Sequence, residues 1–145
     1  MKLDASAFVA DPELIRALQE RSSAIPCEGS RVLFRQGESP DALYILEDGE
    51  ATLTMTSVTG KNILAMQAGA GSLLGLPGLI GNLPYTLTAV AREGARISVL
   101  GREEFTGMMQ ACPQLALKVL QVLAAEVSSA RRALSDAQRD ALPGL

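Results

Sequence analysis

The sequence contains no histidine. That removes the usual general base, the commonest metal ligand and the commonest haem ligand together. Cysteine is nearly absent: Cys27 and Cys112 are the two in the chain, and they lie far apart. Two thiolates cannot build a Cys-rich zinc or iron–sulfur site. Both are read as reduced, buried residues of a cytoplasmic protein. Charge is absent from one long stretch, with no ionisable side chain between Lys61 and Arg92 except the phenol of Tyr85. Gly69, Gly71, Gly75, Pro77, Gly78, Gly81 and Pro84 punctuate that stretch, which excludes a spanning helix. No basic-then-apolar leader opens the chain. A concentrated basic face is also missing: net charge is −3, which speaks against direct nucleic-acid binding. No nucleophile stands with a paired acid and base, and no Walker-type glycine loop carries a lysine. Ser22-Ser23, Ser128-Ser129 and the scattered acids read as caps and solvated faces. An enzyme is not expected.

The 145 residues are 48% hydrophobic, enough for one domain with its own core. A short N-terminal helix begins after Asp11, a capping residue, with Pro12 in the first turn and Leu14, Ile15 and Leu18 on one face. From 31 to 100 the pattern is of short strands: Val32–Phe34, Ala42–Leu46, Ala51–Thr56, Asn62–Ala68, Thr86–Ala91 and Arg96–Leu100. Turn signals at Asp48-Gly49, Gly60 and Glu93-Gly94 separate them. Their number and spacing predict a β-sandwich or barrel.

The last third is helical. Glu103–Ala111 ends before Pro113. From Gln114, the residues Ala116, Leu120, Leu123, Val127, Ala130, Leu134, Ala137 and Ala141 step by four and three, the seam of a coiled coil. A homodimer through Leu120, Leu123, Val127, Ala130 and Leu134 is the preferred reading. The other is a helix packed on its own barrel.

A roll of short strands, a glycine-rich excursion and a long final helix together resemble the cyclic-nucleotide-binding domain, the sensor module of catabolite-activator-type regulators. The stretch RVLFRQGESPDALYILEDGEATL is similar to the first half of that roll. Gly37, Gly49, Gly69 or Gly71, Gly75, Phe105 and Pro113 fall in the family's order. The resemblance implies a fold that is mainly β with flanking helices: a double-stranded β-helix, or jelly-roll barrel, followed by a long C-terminal helix. The chain is then one domain, with an N-terminal helical segment at 1–30, the β-roll at 31–100 and C-terminal helices at 101–142.

The family's phosphate-binding cassette falls on LLGLPGLIGNLPYTLTAVA. Gly75 gives the turn, and Leu76, Gly78 and Leu79 can present backbone N–H groups to an anion, while Pro77 cannot. The side chains depart from the family. The resemblance implies a glutamate directly after Gly75, where Leu76 stands. It also implies an arginine ten residues after Gly75, where Tyr85 stands. Thr86 keeps a hydroxyl, and Leu87 replaces the usual alanine. Losing one member of a buried charged pair costs about 2–5 kcal/mol, on the order of 10²–10³ in affinity. Tyr85 offers one neutral hydrogen bond in exchange. Arg131 or Arg132, on the long helix, could supply a cation instead; solvated surface arginines are the other reading.

The expected ligand site is therefore Gly75, Leu76, Gly78, Leu79, Tyr85, Thr86, Leu87 and Arg131, with no metal. The ligand is a cyclic nucleotide (cAMP or cGMP), bound weakly, or another small acidic ligand, such as a carboxylate with an apolar body. Three functions remain open: a dimeric small-ligand sensor, a ligand-free scaffold or dimerisation module, and the sensor part of a transcription regulator without its helix-turn-helix domain.

Overall fold

The computed structural model describes residues 9–140. The first helix, α1, covers Pro12–Gln19. Eight strands follow: β1 (Ser23–Ile25), β2 (Arg31–Phe34), β3 (Ala42–Asp48), β4 (Ala51–Thr56), β5 (Asn62–Ala68), β6 (Ser72–Leu74), β7 (Thr88–Ala91) and β8 (Arg96–Gly101). A short helix α2 (Leu76–Gly81) sits between β6 and β7, and α3 (Arg102–Ala111) and α4 (Pro113–Asp140) close the domain.

The strands form two four-stranded antiparallel sheets, in the orders β1-β8-β3-β6 and β2-β7-β4-β5. This is the expected jelly-roll barrel with flanking helices and a long final helix. Strand alternation assigns side chains to two cores. Between the sheets lie Phe34, Leu46, Leu53, Leu64, Met66, Leu74 and Ile97, among others. Behind the first sheet, Leu43, Ile45, Leu73 and Leu100 meet Leu14 and Leu18 of α1, Phe105 of α3, and Val119 and Val122 of α4. β3 contributes to both: Leu43 and Ile45 face the helices, whereas Leu46 faces the roll. Its apolar run is unbroken because both of its faces are covered.

Two strands lie outside the expected set. β1 falls within the segment read as helical, and Ser72–Leu74 sits inside the glycine-rich stretch; each is three residues long, too short to show a period. Thr86-Leu87 precede β7 rather than opening it. Asp11 occupies the N-cap of α1 but caps with no side-chain bond. Its carboxylate reaches Lys118 of α4, which also meets Glu13 at 3.0 Å. Lys118 lowers the Asp11 pKa and is itself raised in return. The pair straps α1 to α4 at the surface, where an ion pair contributes little to stability. Cys27 and Cys112 are both free and partly buried.

Leu43 is wholly buried between β3 and the helices. Leu43→Ala is expected to destabilise the domain by about 2–5 kcal/mol. In a chain of this size that lowers Tm by at least about 5 °C in a calorimetric scan.

Candidate functional site

The site is built where β6 ends. Leu74 is buried in the roll, and Gly75 follows with φ 90°, a left-handed turn that a side chain would strain. A Cβ on Gly75 would also lie 2.9 Å from Cε1 of Tyr85. The glycine therefore lets the tyrosine ring lie against the turn. Gly78 admits a second close approach, since a Cβ there would stand 2.9 Å from the Leu83 carbonyl oxygen.

Tyr85 is 5% exposed. Its ring stacks on Phe34 at 4.0 Å between centroids, and Phe34 lies 5.7 Å from Tyr44. Three of the chain's five aromatic residues thus gather at one point. The Tyr85 hydroxyl donates to the Ala42 carbonyl at 2.6 Å and accepts from the Ala42 N–H at 3.2 Å. Its backbone N–H donates to Glu38 O at 2.9 Å, and its carbonyl accepts from Gly37 N–H at 2.8 Å. Burial raises the phenol above its ordinary pKa, against the opposing hydrogen bond to Ala42. The hydroxyl proton, read from the sequence as available to a ligand, is committed to the start of β3.

The remaining predicted residues divide. Gly75, Gly78, Tyr85, Thr86 and Leu87 line one cavity with Phe34, Leu53, Leu74, Pro77 and Glu126. Its volume is about 10 Å³, which holds at most a single water. Thr86, Leu87 and Arg131 line a second, open pocket of about 240 Å³ under α4, together with Met55, Leu64, Met66, Pro77, Glu126 and Val127. Leu76 and Leu79 line neither cavity. Their side chains are buried with Leu43, Phe105 and Val122 in the core behind the first sheet. Arg131 and Arg132 are both exposed.

Glu126 belongs to both cavities and was missed in the sequence, where it passed as one of the solvated acids. It is 6% exposed, and its Oε2 is buried with no hydrogen-bond partner among the described residues. No ion pair joins it to Arg131 among them. Burial alone pushes its carboxyl up to about 8. A signal for it existed: Leu115, Val119, Val122 and Glu126 step by four, three and four, the face α4 turns to its own domain. Among the described residues lining the two cavities, Glu126 is the one carboxylic acid and Arg131 the one cation. No group of acids and cysteines that could hold a metal ion occurs among the described residues.

The family model for the cyclic nucleotide-binding domain matches residues 26–112. The chain belongs to this family. Over 110 residues, 76% of the chain, it is 27% identical to the neuropathy target esterase sws of Drosophila persimilis, of which the match covers only 8%. Among solved structures, the catabolite activator protein of Thermus thermophilus is 24% identical with a TM-score of 0.73, covering 86% of this chain and 59% of that one. A cyclic nucleotide-binding domain from Methylobacillus flagellatus is 23% identical with a TM-score of 0.72, covering 93% and 76%. At these identities the structural likeness establishes the fold.

The Glu126 carboxyl carries a pH dependence of definite sign. Well below pH 4.5 it is neutral in both the folded and the unfolded chain. Between 4.5 and about 8 the unfolded chain ionises while the native one keeps its proton. The native state then binds more protons, so stability falls as pH rises through this window and levels above it. A tenfold difference in proton affinity between the two states is worth about 1.4 kcal/mol. Glu126→Gln is expected to flatten this decline and to be more stable at pH 7 by about 1–3 kcal/mol. Urea unfolding of both proteins at pH 5 and pH 8 checks it; parallel declines would refute it.

Proposed function

We propose that this domain is a non-enzymatic small-ligand sensor whose binding space is the pocket between the roll and α4, and that it binds cyclic nucleotides weakly. The observation that carries the reading is that 240 Å³ pocket, floored by the roll and walled by the long helix. A ligand there would touch β4, β5, α2 and α4 at once. It would therefore bias the position of α4 against the roll, the two-state element a sensor needs. The cassette argues against tight nucleotide binding. Tyr85 and Leu76 stand where the family's resemblance calls for a cation and a ribose acceptor, and Tyr85 with Phe34 fills the space beside Gly75.

Dimerisation through α4 belongs to the same proposal. The helix spans 28 residues, about 42 Å at 1.5 Å per residue. Its own domain takes Val119, Val122 and Glu126, with Leu115 and Leu123 partly covered. Leu117, Leu120 and Val127 stay exposed at 60%, 51% and 40%. With Ala124 they step by three, four and three, one exposed seam whose last member, Val127, also lines the pocket. The expected seam is thus moved by a fraction of a turn, because Leu123 packs against the chain's own core. The side chains of Ala130, Leu134 and Ala137 lie outside the described residues, as does Ala141. A cytoplasmic setting and the absence of direct nucleic-acid contact are part of the proposal; among the described residues no helix is long and apolar enough to cross a membrane. As for the two remaining readings, a scaffold would leave the pocket unused, and a regulator would draw its DNA contact from elsewhere.

Two measurements test this. Sedimentation equilibrium is expected to give a dimer, and the double variant Leu120→Glu, Val127→Glu a folded monomer. A monomeric parent protein would remove the dimer from the proposal. A thermal scan against a broad small-molecule panel is expected to find a compound that raises Tm by several degrees, as a ligand at 100 times its Kd contributes about 2.7 kcal/mol. A flat response across the panel would favour the scaffold.

A further inference from the structure

A family cassette is built to hold an anion, yet the ionisable group buried in this chain's binding space is itself an acid. Glu126 is held on the inner face of α4 by the same spacing that buries Val119 and Val122. Packing alone is better served there by an apolar residue, since a buried carboxyl with an unpartnered oxygen costs free energy. That oxygen is buried without a donor, and its residue lines a pocket whose other walls include Met55, Leu64, Met66, Leu87 and Val127, all hydrocarbon or thioether. Thr86 is the neutral hydroxyl nearby, and it makes no hydrogen bond to that oxygen among the described residues.

Resting on the sensor reading above, we propose that the pocket takes a primary amine with an apolar body, its ammonium group held by Glu126. An ammonium brings three donors and the opposite charge to an acceptor that lacks both. A carboxylate or a cyclic phosphate would instead bring acceptors, and like charge once Glu126 ionises. Its one local cation, Arg131, lies five residues further along α4, about 7.5 Å by helical rise, at the exposed end of the pocket. The size suits a modest ligand: an apolar cavity of about 150 Å³ accommodates benzene, and this one offers about 240 Å³. A ring with a short aminoalkyl arm fits, the ring on Met55, Leu64 and Met66 and the arm toward α4. Glu126 and Arg131, both on α4, are the charged groups facing the pocket; β4, β5, α2 and the segment before β7 contribute none among the lining residues. Burial, which raises the carboxyl to about 8, makes amine binding tighten as pH rises toward that value.

Calorimetric titration at pH 8 with 2-phenylethylamine, 2-phenylethanol and 3-phenylpropionate tests the proposal on the whole chain, with Glu126→Gln and Leu87→Trp as variants. The amine is expected to bind the parent at least tenfold more tightly than the alcohol or the acid. Glu126→Gln should remove that preference, and Leu87→Trp, which fills the pocket, should remove binding. An acid or alcohol that binds as tightly as the amine overturns the proposal, as does amine binding unchanged in Glu126→Gln. If either of those probes binds the parent as tightly as the amine and is lost in Leu87→Trp, the sensor reading stands while the amine falls. If none of the three probes binds, nor cyclic AMP, both fall.

Discussion

The candidate site is organised by one packed ring. Tyr85 stacks on Phe34, bonds twice to the backbone of Ala42 through its hydroxyl, and is tied by its own backbone to Gly37 and Glu38. These contacts join β2, the loop that follows it, the start of β3 and the segment leading to β7. Gly75 must be glycine for that ring to lie where it does. An arginine in this position would carry a charge into a space lined by Phe34, Leu53 and Leu74, and would need an anion to neutralise it. Tyrosine needs only Ala42. On the proposed reading the cassette's shape is thereby kept without a phosphate.

The proposed binding space lies one layer outward, under α4. The two cavities share Pro77, Thr86, Leu87 and Glu126, so the filled one and the open one are contiguous walls of a single region. The helix that closes the open pocket also carries the exposed Leu117 and Leu120 along its outer side, while the partly exposed Val127 lines the pocket as well. A shift of α4 that accommodates a ligand on one face is felt on the other. On the proposed reading that arrangement couples occupancy to association, since Val127 belongs to both the pocket wall and the exposed seam.

Much of this was legible in the residues. Alternation in Ala51–Thr56 and the turn at Asp48-Gly49 placed β4 and its neighbours, and the four-three stepping after Gln114 placed α4. β1 and β6 were not, because three residues carry no period. Leu76 and Tyr85 marked the altered cassette, yet the sequence could not say that Tyr85 points inward to Ala42, since that depends on a contact across 43 positions. Glu126 was hidden for a different reason. The long helix carries two apolar stripes, and reading the seam through Leu120, Leu123 and Val127 put Glu126 on a polar face. Its burial depends on which stripe meets the roll, a choice made by tertiary packing.

On the proposed reading, the Tyr85 ring stands where the family resemblance calls for the arginine that would hold a cyclic phosphate, and its hydroxyl is spent on Ala42. Calorimetric titration of the purified protein with cyclic AMP tests that substitution most directly, at protein concentrations that reveal millimolar binding. The expected result is no saturable binding tighter than about 1 mM, some −4 kcal/mol. A Kd below about 10 μM, near −7 kcal/mol, would contradict it, since affinity of that order needs the ring to leave Ala42 and a cation such as Arg131 to replace it.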